Sequence, residues 1–260
     1  MQKTVPPYPE GHALLAGKTV LVTAAAGSGI GFATAKRCVE EGARVMISDI
    51  HERRLAEAAG SLGELAGHVV PAQVCNVTSE DDVQALVAAA LRELGHLDVL
   101  VNNAGLGGTA NVVEMTDAQW EAVLGVTLTG TFKMTRATLP HMFSRAKGCI
   151  VNNASVLGWR AQPGQAHYAA AKAGVMALTR CSAMEAAEHG VRINAVCPSL
   201  ATHPFLAKVT SEALLEELAA REAFGRGAEP WEVANVIVFL ASDYATYMTG
   251  ESVSVSSQRA

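Results

Sequence analysis

The short β-branched run Lys18-Thr-Val-Leu-Val-Thr23 passes straight into a glycine-rich turn, Ala24-Ala-Ala-Gly27-Ser-Gly29-Ile-Gly31, and then into residues 32–41 at helical spacing. Buried strand, tight turn and helix, in that order, are the context in which a glycine motif binds a dinucleotide. The glycines let the backbone approach a pyrophosphate, and the helix N-terminus faces its charge. Gly27, Ser28, Gly29, Ile30 and Gly31 are the candidate cradle. An ordinary strand-to-helix turn is the bland alternative.

The same rhythm continues along the chain. Residues 42–49 read as a second strand ending in Asp49. An acid there, about 20 residues past the glycines, can bond both ribose hydroxyls of NAD and repel a 2′-phosphate. It can equally cap a helix starting near His51. Arg53 and Arg54 stand close by and keep NADP open as the less favoured cofactor. Residues 68–75 read as a third strand, ending at Asn76-Val77-Thr78, after which Ser79 with Asp82 resembles a capping box. Leu97 to Val101 is a fourth strand, running into a second tight turn at Asn102-Asn103-Ala104-Gly105. A helical stretch over 117–145, a strand over 148–154, a helix over 165–189 and strands over 191–197 and 251–255 complete the pattern. Residues 199–229 break it and read as a lid-like insertion over the substrate site.

Strands alternating with helices predict an α/β fold: one Rossmann-like domain over 18–260, a doubly wound parallel sheet of about seven strands with helices on both faces, preceded by an arm at 1–17. Ligands of such sheets gather at the carboxyl ends of the strands. The glycine turn, Asp49, Asn76, the 102–105 turn, Ser155 and Pro198 all fall there.

Composition narrows the function. The 260 residues carry a net charge of −5 with no basic patch, so no nucleic-acid partner is expected. No apolar run approaches the ~20 residues that span a bilayer, and residues 1–17 have no signal-peptide core. The five cysteines at 38, 75, 149, 181 and 197 are odd in number, scattered and without metal-ligand spacing. They read as reduced, buried hydrophobes in a cytoplasmic protein without a metal site.

The chemistry points to Tyr168-Ala-Ala-Ala-Lys172. At i and i+4 of a helix the two side chains share a face. An ammonium beside a phenol favours the phenolate and is expected to lower the tyrosine pKa; a drop of roughly three units needs about 4 kcal/mol. The pair then serves as proton donor and acceptor near neutral pH. Ser155, at the end of the fifth strand, is placed to address the same substrate oxygen. The spacing alone also fits a surface lysine beside a packed tyrosine.

In this order the motifs resemble the short-chain dehydrogenase/reductase family in its compact form, from Lys18 to about Val255. The resemblance rests on Gly27, Gly29 and Gly31; Asn102-Asn-Ala-Gly105; Ser155; Tyr168-x-x-x-Lys172; and Asn194-Ala-Val-Cys-Pro198. It implies reversible hydride transfer between NAD(H) and a secondary alcohol or ketone. Tyr168 is then the general acid/base, Ser155 orients the substrate oxygen, and Lys172 lowers the tyrosine pKa and holds the nicotinamide ribose. Asn76, Val77, Asn103, Ala104, Gly105, Pro198 and Leu200 join the cofactor site. The resemblance also implies a small-molecule substrate and a homo-oligomer, tetramer or dimer, paired through the long helices 117–145 and 165–189.

Four departures stand out. Alanine replaces the first glycine of the turn. Thr127 stands in Val-Thr-Leu-Thr-Gly130, where the family carries a fourth catalytic residue, asparagine, and is the matching catalytic candidate; with its short reach, either backbone groups hold a relay water or turnover is slowed. Ser199 follows Pro198, and His203 stands where a threonine commonly contacts the nicotinamide amide. The ending Ser-Ser-Gln-Arg-Ala260 replaces Asp-Gly-Gly and reads as a subunit contact. That ending and the run Asn153 to Gln162 resemble actinobacterial members acting on CoA thioesters derived from steroid rings. Trp159 and Phe205 then suggest an apolar pocket, with Arg160, His203 and Lys208 available to a carboxylate or CoA phosphate. The rival reading is a catalytically silent nucleotide-binding scaffold or sensor, with Thr127 as its support.

Overall fold

The computed structural model describes residues 4–202 and 212–257. Its strands are β1 (Thr19–Val22), β2 (Arg44–Asp49), β3 (Ala72–Val74), β4 (Val99–Asn102), β5 (Gly148–Asn153), β6 (Val191–Pro198) and β7 (Ser252–Val255). They form one parallel sheet in the order β3-β2-β1-β4-β5-β6-β7. Helices α1 (Ile30–Glu40), α2 (Glu52–Ala66), α3 (Glu80–Leu94), α4 (Asp117–Leu124), α5 (Gly130–Ser144), α6 (Ala166–Ala187), α7 (Glu212–Arg221) and α8 (Pro230–Ala241) connect and cover it.

Alternation along the strands builds two cores. Val20, Val22, Val45, Ile47, Val99, Val101 and Val151 point to one face and pack with α1, α2 and α8. Leu21, Met46, Leu100, Ile150 and Ile193 point to the other and pack with α3, α5 and α6. Burial on both faces is why these strands read as continuous apolar runs. The fold is the expected doubly wound, Rossmann-like single domain. The chain leaves β1 towards β3, then returns to lay β4 on the other side of β1. That reversal opens a crevice at the carboxyl ends of β1 and β4, the usual ligand position.

Several local expectations are refined. The third strand is only Ala72–Val74, not 68–75. Val69 is 86% exposed, and Pro71 has no N–H to offer, so the chain joins the sheet only when its carbonyl accepts from Ile47. Ser79 does cap α3, accepting from the Asp82 amide. Asp82 returns to the amide of Asn76 rather than that of Ser79. The 117–145 stretch is interrupted by a π-helical turn, Gly125–Thr129, between α4 and α5. The arm is fastened to α1: Glu41 accepts from the amides of His12 and Leu14, and Leu15 is wholly buried. The C-terminal segment meets its own chain, since Ser257 bonds Glu222, Ala223 and Phe224; residues 258–260 lie outside the described residues.

Candidate active site

The crevice is built from strand ends. Thr23, just past β1, accepts from the amides of Asn103 and Ala104 at 3.0 and 3.2 Å and donates to the Val101 carbonyl. One hydroxyl thereby ties the glycine turn to the 102–105 turn. Ala24 has φ +50°, the left-handed region that costs a non-glycine residue about 1 kcal/mol or more. This is where alanine replaced the expected glycine, so the strain falls on the substituted position. Gly31 is obligatory: an added Cβ would lie 2.2 Å from the Ala24 carbonyl oxygen and 2.4 Å from Asn103 Nδ2.

The outer side of the turn fits a dinucleotide. Gly27 has φ +93°, and an added Cβ on Gly27 or Gly29 would meet only open space. Gly27 and Ser28 are exposed. Helix α1, which Ile30 begins, has no side-chain cap at Gly29 and no acid in its first turn. Its leading amides are thus free of side-chain competition for an anion. Asp49, at the end of β2, accepts from the amides of Ala26 and His51 at 3.1 and 3.0 Å. It therefore ties the glycine turn to the entry of α2, whose N-cap is His51 without a side-chain cap of its own. Burial pushes its carboxyl up, against the Ala26 amide and the Arg54 charge. Arg53 pairs outward with Glu57. Asn76 makes a tight turn by accepting from Thr78, and Val77 packs on Gly130. Pro198 ends β6 beside Val255, and the Leu200 carbonyl accepts from Ala228.

Ser155, Tyr168 and Lys172 converge at the other wall. Ser155 follows β5, is buried, and accepts from the Leu157 amide at 3.2 Å. Tyr168 is in the first turn of α6, half-buried, with Ser155 as its side-chain partner. Lys172, one turn on, is 3% exposed. Its Nζ stands 5.6 Å from the Tyr168 ring centroid and donates to the Asn153 carbonyl. Gly105 lies alongside it, where an added Cβ would be in ordinary contact with Nζ at 3.5 Å.

The electrostatics correct one expectation. Burial pushes the Tyr168 phenol above its ordinary value, and the Ser155 hydrogen bond only offsets part of that. Burial likewise lowers the Lys172 ammonium to about 8. In the protein alone burial and Ser155 set the phenol, and the lysine does not lower it, because the ammonium is seated on a carbonyl rather than on the phenolic oxygen.

Thr127 is wholly buried in the π turn; its hydroxyl accepts from the Leu106 amide at 3.0 Å and donates to the Leu106 carbonyl at 3.2 Å. Its single donor and one of its two acceptor positions are taken by the Leu106 backbone, so Thr127 anchors the chain just after the 102–105 turn. Trp159 is 46% exposed and Arg160 half-buried beyond the short 3₁₀ turn after Ser155. His203, Phe205 and Lys208 lie outside the described residues. Two features were not singled out from the sequence. His167, beside Tyr168, is 2% exposed with Nδ1 unpartnered. Asn153 pairs with Asn103; the doubled Asn-Asn at 102–103 and 152–153 was its visible signal.

The chain belongs to the short-chain dehydrogenase/reductase family. A family model described as enoyl-(acyl carrier protein) reductase matches residues 24–257. Among relatives, the (5R,7aS)-5-hydroxy-7a-methyl-1-oxo-2,3,5,6,7,7a-hexahydro-1H-indene-carboxyl-CoA reductase of Mycobacterium tuberculosis is 63% identical over 249 residues, 95% of each chain. The 3-oxoacyl-[acyl-carrier-protein] reductase FabG of Thermotoga maritima is 41% identical over 93% of this chain and 97% of that one. A crystal structure of a short chain dehydrogenase from Mycobacterium smegmatis superposes with TM-score 0.88 at 58% identity, covering 99% of both chains. The protein is thus an oxidoreductase whose fold takes a nicotinamide cofactor. Among the described residues no helix is long and apolar enough to cross a membrane.

Proposed function

We propose that the protein reversibly reduces an alicyclic ketone carried as a CoA thioester, using NAD(H), at the crevice where Ser155, Tyr168 and Lys172 converge. That convergence is the observation that carries the reading, and the hydroxy-hexahydroindene carboxyl-CoA reductase, 63% identical, supports the substrate class. A bound nicotinamide supplies the hydride in reduction and takes it up in oxidation. The protein's own groups manage the oxygen. In reduction Tyr168 gives its phenolic proton to the carbonyl oxygen as charge develops there, leaving a phenolate. In oxidation the phenolate takes the hydroxyl proton back. Ser155 donates a hydrogen bond to the same oxygen, strongest when that oxygen is most charged. Lys172, held between the Asn153 carbonyl and the ring of Tyr168, supplies the positive charge that steadies the phenolate.

Asp49 supports NAD over NADP. Its buried carboxylate, held by two amides at the end of β2, suits ribose hydroxyls and repels a 2′-phosphate. Trp159 and Leu106 offer apolar surface to fused rings, Arg160 offers charge to a CoA phosphate, and the 199–229 segment serves as the lid. The long helices α4–α5 and α6, with Trp120, Phe132 and Met184 exposed on them, serve as the homo-oligomer contact. The five free cysteines suit the reducing cytoplasm.

The test is turnover of a fused-ring keto acid as CoA thioester and as free acid, with NADH and NADPH, for the wild type and Asp49→Ala. The thioester with NADH is expected to be preferred, and the mutant to lose the cofactor preference. Equal turnover of free acid and thioester would remove CoA from the proposal, and an unchanged preference in the mutant would remove NAD selection by Asp49.

A further inference from the structure

The asparagines at the ends of β4 and β5 form two separate pairs, one on each face of the sheet. Asn102 Nδ2 donates to Asn152 Oδ1 at 2.9 Å and to Thr135, and Asn152 donates to Thr179; this pair locks the sheet to α5 and α6. The second pair belongs to the site. Asn103 Nδ2 donates to the Ala24 carbonyl at 3.0 Å. Asn153 Nδ2 donates to Asn103 Oδ1 at 2.8 Å. The Asn153 carbonyl accepts from Lys172.

The direction of this chain is dictated, not chosen. The Ala24 carbonyl can only accept, so Asn103 must turn Nδ2 towards it. Asn103 then shows Oδ1 to Asn153, which must answer with its own Nδ2. The cost is visible: Asn153 Oδ1 is buried without a partner, a penalty that a neighbouring hydrogen bond must outweigh. Asn153 is also the last residue of β5, paired with Val196. Its carbonyl turns towards α6, and fixing its side chain restricts rotation of that terminal peptide.

We propose that Asn153 is a positioning residue that fixes Lys172 relative to the glycine turn: its carbonyl seats the ammonium, and its side-chain amide locks that strand end to Asn103 and Ala24. The junction is stiff at its far end, because Gly31 packs against the Ala24 carbonyl and Asn103 Nδ2 with no room for a Cβ. The lysine is thus placed by the turn that receives the dinucleotide. This role rests on the reading of Lys172 as the partner of Tyr168.

The test uses Asn153→Leu, Asn103→Leu, their double variant and Asn153→Thr, which keeps a donor hydroxyl. Modification of Lys172 by an amine-reactive reagent, followed by mass spectrometry without cofactor, reads the lysine directly. Asn153→Leu is expected to speed it about tenfold, the effect of losing one buried hydrogen bond. Asn103→Leu should speed it as well, although Asn103 does not bond the lysine, and the double variant should add little to the stronger single. NADH titration by fluorescence should weaken severalfold in both. In the oxidation of any secondary alcohol that the wild type turns over, the rising limb of the pH–rate profile should move about one unit to higher pH, because a looser ammonium steadies the phenolate less. Asn153→Thr should restore part of each effect.

The proposal is overturned if Lys172 reacts at the wild-type rate in Asn103→Leu, or if the two single effects add in full. Should Asn153→Leu fail to fold, Asn103→Leu and Asn153→Thr still decide it. If the wild type turned over no alcohol or ketone, the functional reading would fall, while labelling and titration would still test the tether.

Discussion

The two ends of the sheet spend their polar groups differently. At the amino ends of the strands lies a cleft of about 570 Å³ lined by Lys18, Asp98, Lys147, Arg192 and Asp243, among others. The buried and half-buried charges there are matched internally. Lys18 meets Asp243 at 2.7 Å. Asp98 accepts from the Thr19 amide, from Arg145 and from His96. Arg192 covers the carbonyls of Leu240, Ser242 and Met248, at and beyond the end of α8. At the carboxyl ends they stay open: Asn102 Oδ1, Asn153 Oδ1 and His167 Nδ1 are buried without partners, and Lys172 is buried on a carbonyl with no carboxylate as hydrogen-bond partner among the described residues. One end is organised for stability, and the other holds groups in costly states that chemistry can use.

The largest break in that contrast comes from Tyr168→Phe. Turnover is expected to fall by roughly 10²–10⁴-fold, the worth of a general acid/base, with NADH affinity and thermal midpoint close to wild type. Steady-state kinetics and fluorescence titration check it, and near-normal turnover would remove Tyr168 from the mechanism.

At the opposite end, Asp98→Ala should leave kcat of the folded protein unchanged and cost about 3 kcal/mol in urea unfolding, because Arg145 and Thr19 lose a buried partner. The pH arm has a definite sign. Burial pushes the Asp98 carboxyl up, but the Thr19 amide, Arg145 and His96 outweigh it, so its folded value lies below the ordinary one. Its stabilisation is present above the unfolded value near 3.9 and is lost as pH falls through the lower folded value. The variant should lack that acid-side loss.

Lys172→Met should abolish most turnover and yet raise the thermal midpoint at neutral pH. The folded value of about 8 lies below the unfolded value near 10.4, so the unfolded chain binds more protons between them. The wild type therefore carries the full cost of its buried charge below pH ~8 and sheds it as pH rises towards ~10. The linkage bounds that cost at about 3 kcal/mol; loss of the Asn153 contact reduces the net gain to about 1–2 kcal/mol. A stability difference between variant and wild type that stayed constant from pH 7 to 10 would contradict the assignment. The smallest effect is Ala24→Gly, which relieves a left-handed alanine and should change stability by about 1 kcal/mol or less in the favourable direction, with NADH affinity retained.

Much of this was legible from residues 18–31 and 155–172. The β-branched runs, the glycines and the Tyr168–Lys172 spacing are local patterns whose periods do not depend on distant partners. β3 was overread because apolar residues at a sheet edge look like those inside it until Pro71 and the exposure of Val69 are placed. Thr127 could not be read: periodicity does not reveal a π turn, and only that turn aims its hydroxyl at Leu106.

The sequence by itself determined the α/β alternation and the glycine turn, because each follows from spacing within one or two elements, and the motif order resembling a known family singled out Ser155, Tyr168 and Lys172. Only the tertiary structure decided the state of those groups. Whether Tyr168 titrates low or high, and where Lys172 rests, depends on burial and on Asn153, Asn103 and Ala24. Ala24 and Asn103 are 79 residues apart, and Asn103 and Asn153 are 50 apart. Separations of that size are closed by the sheet's register, which no local pattern encodes.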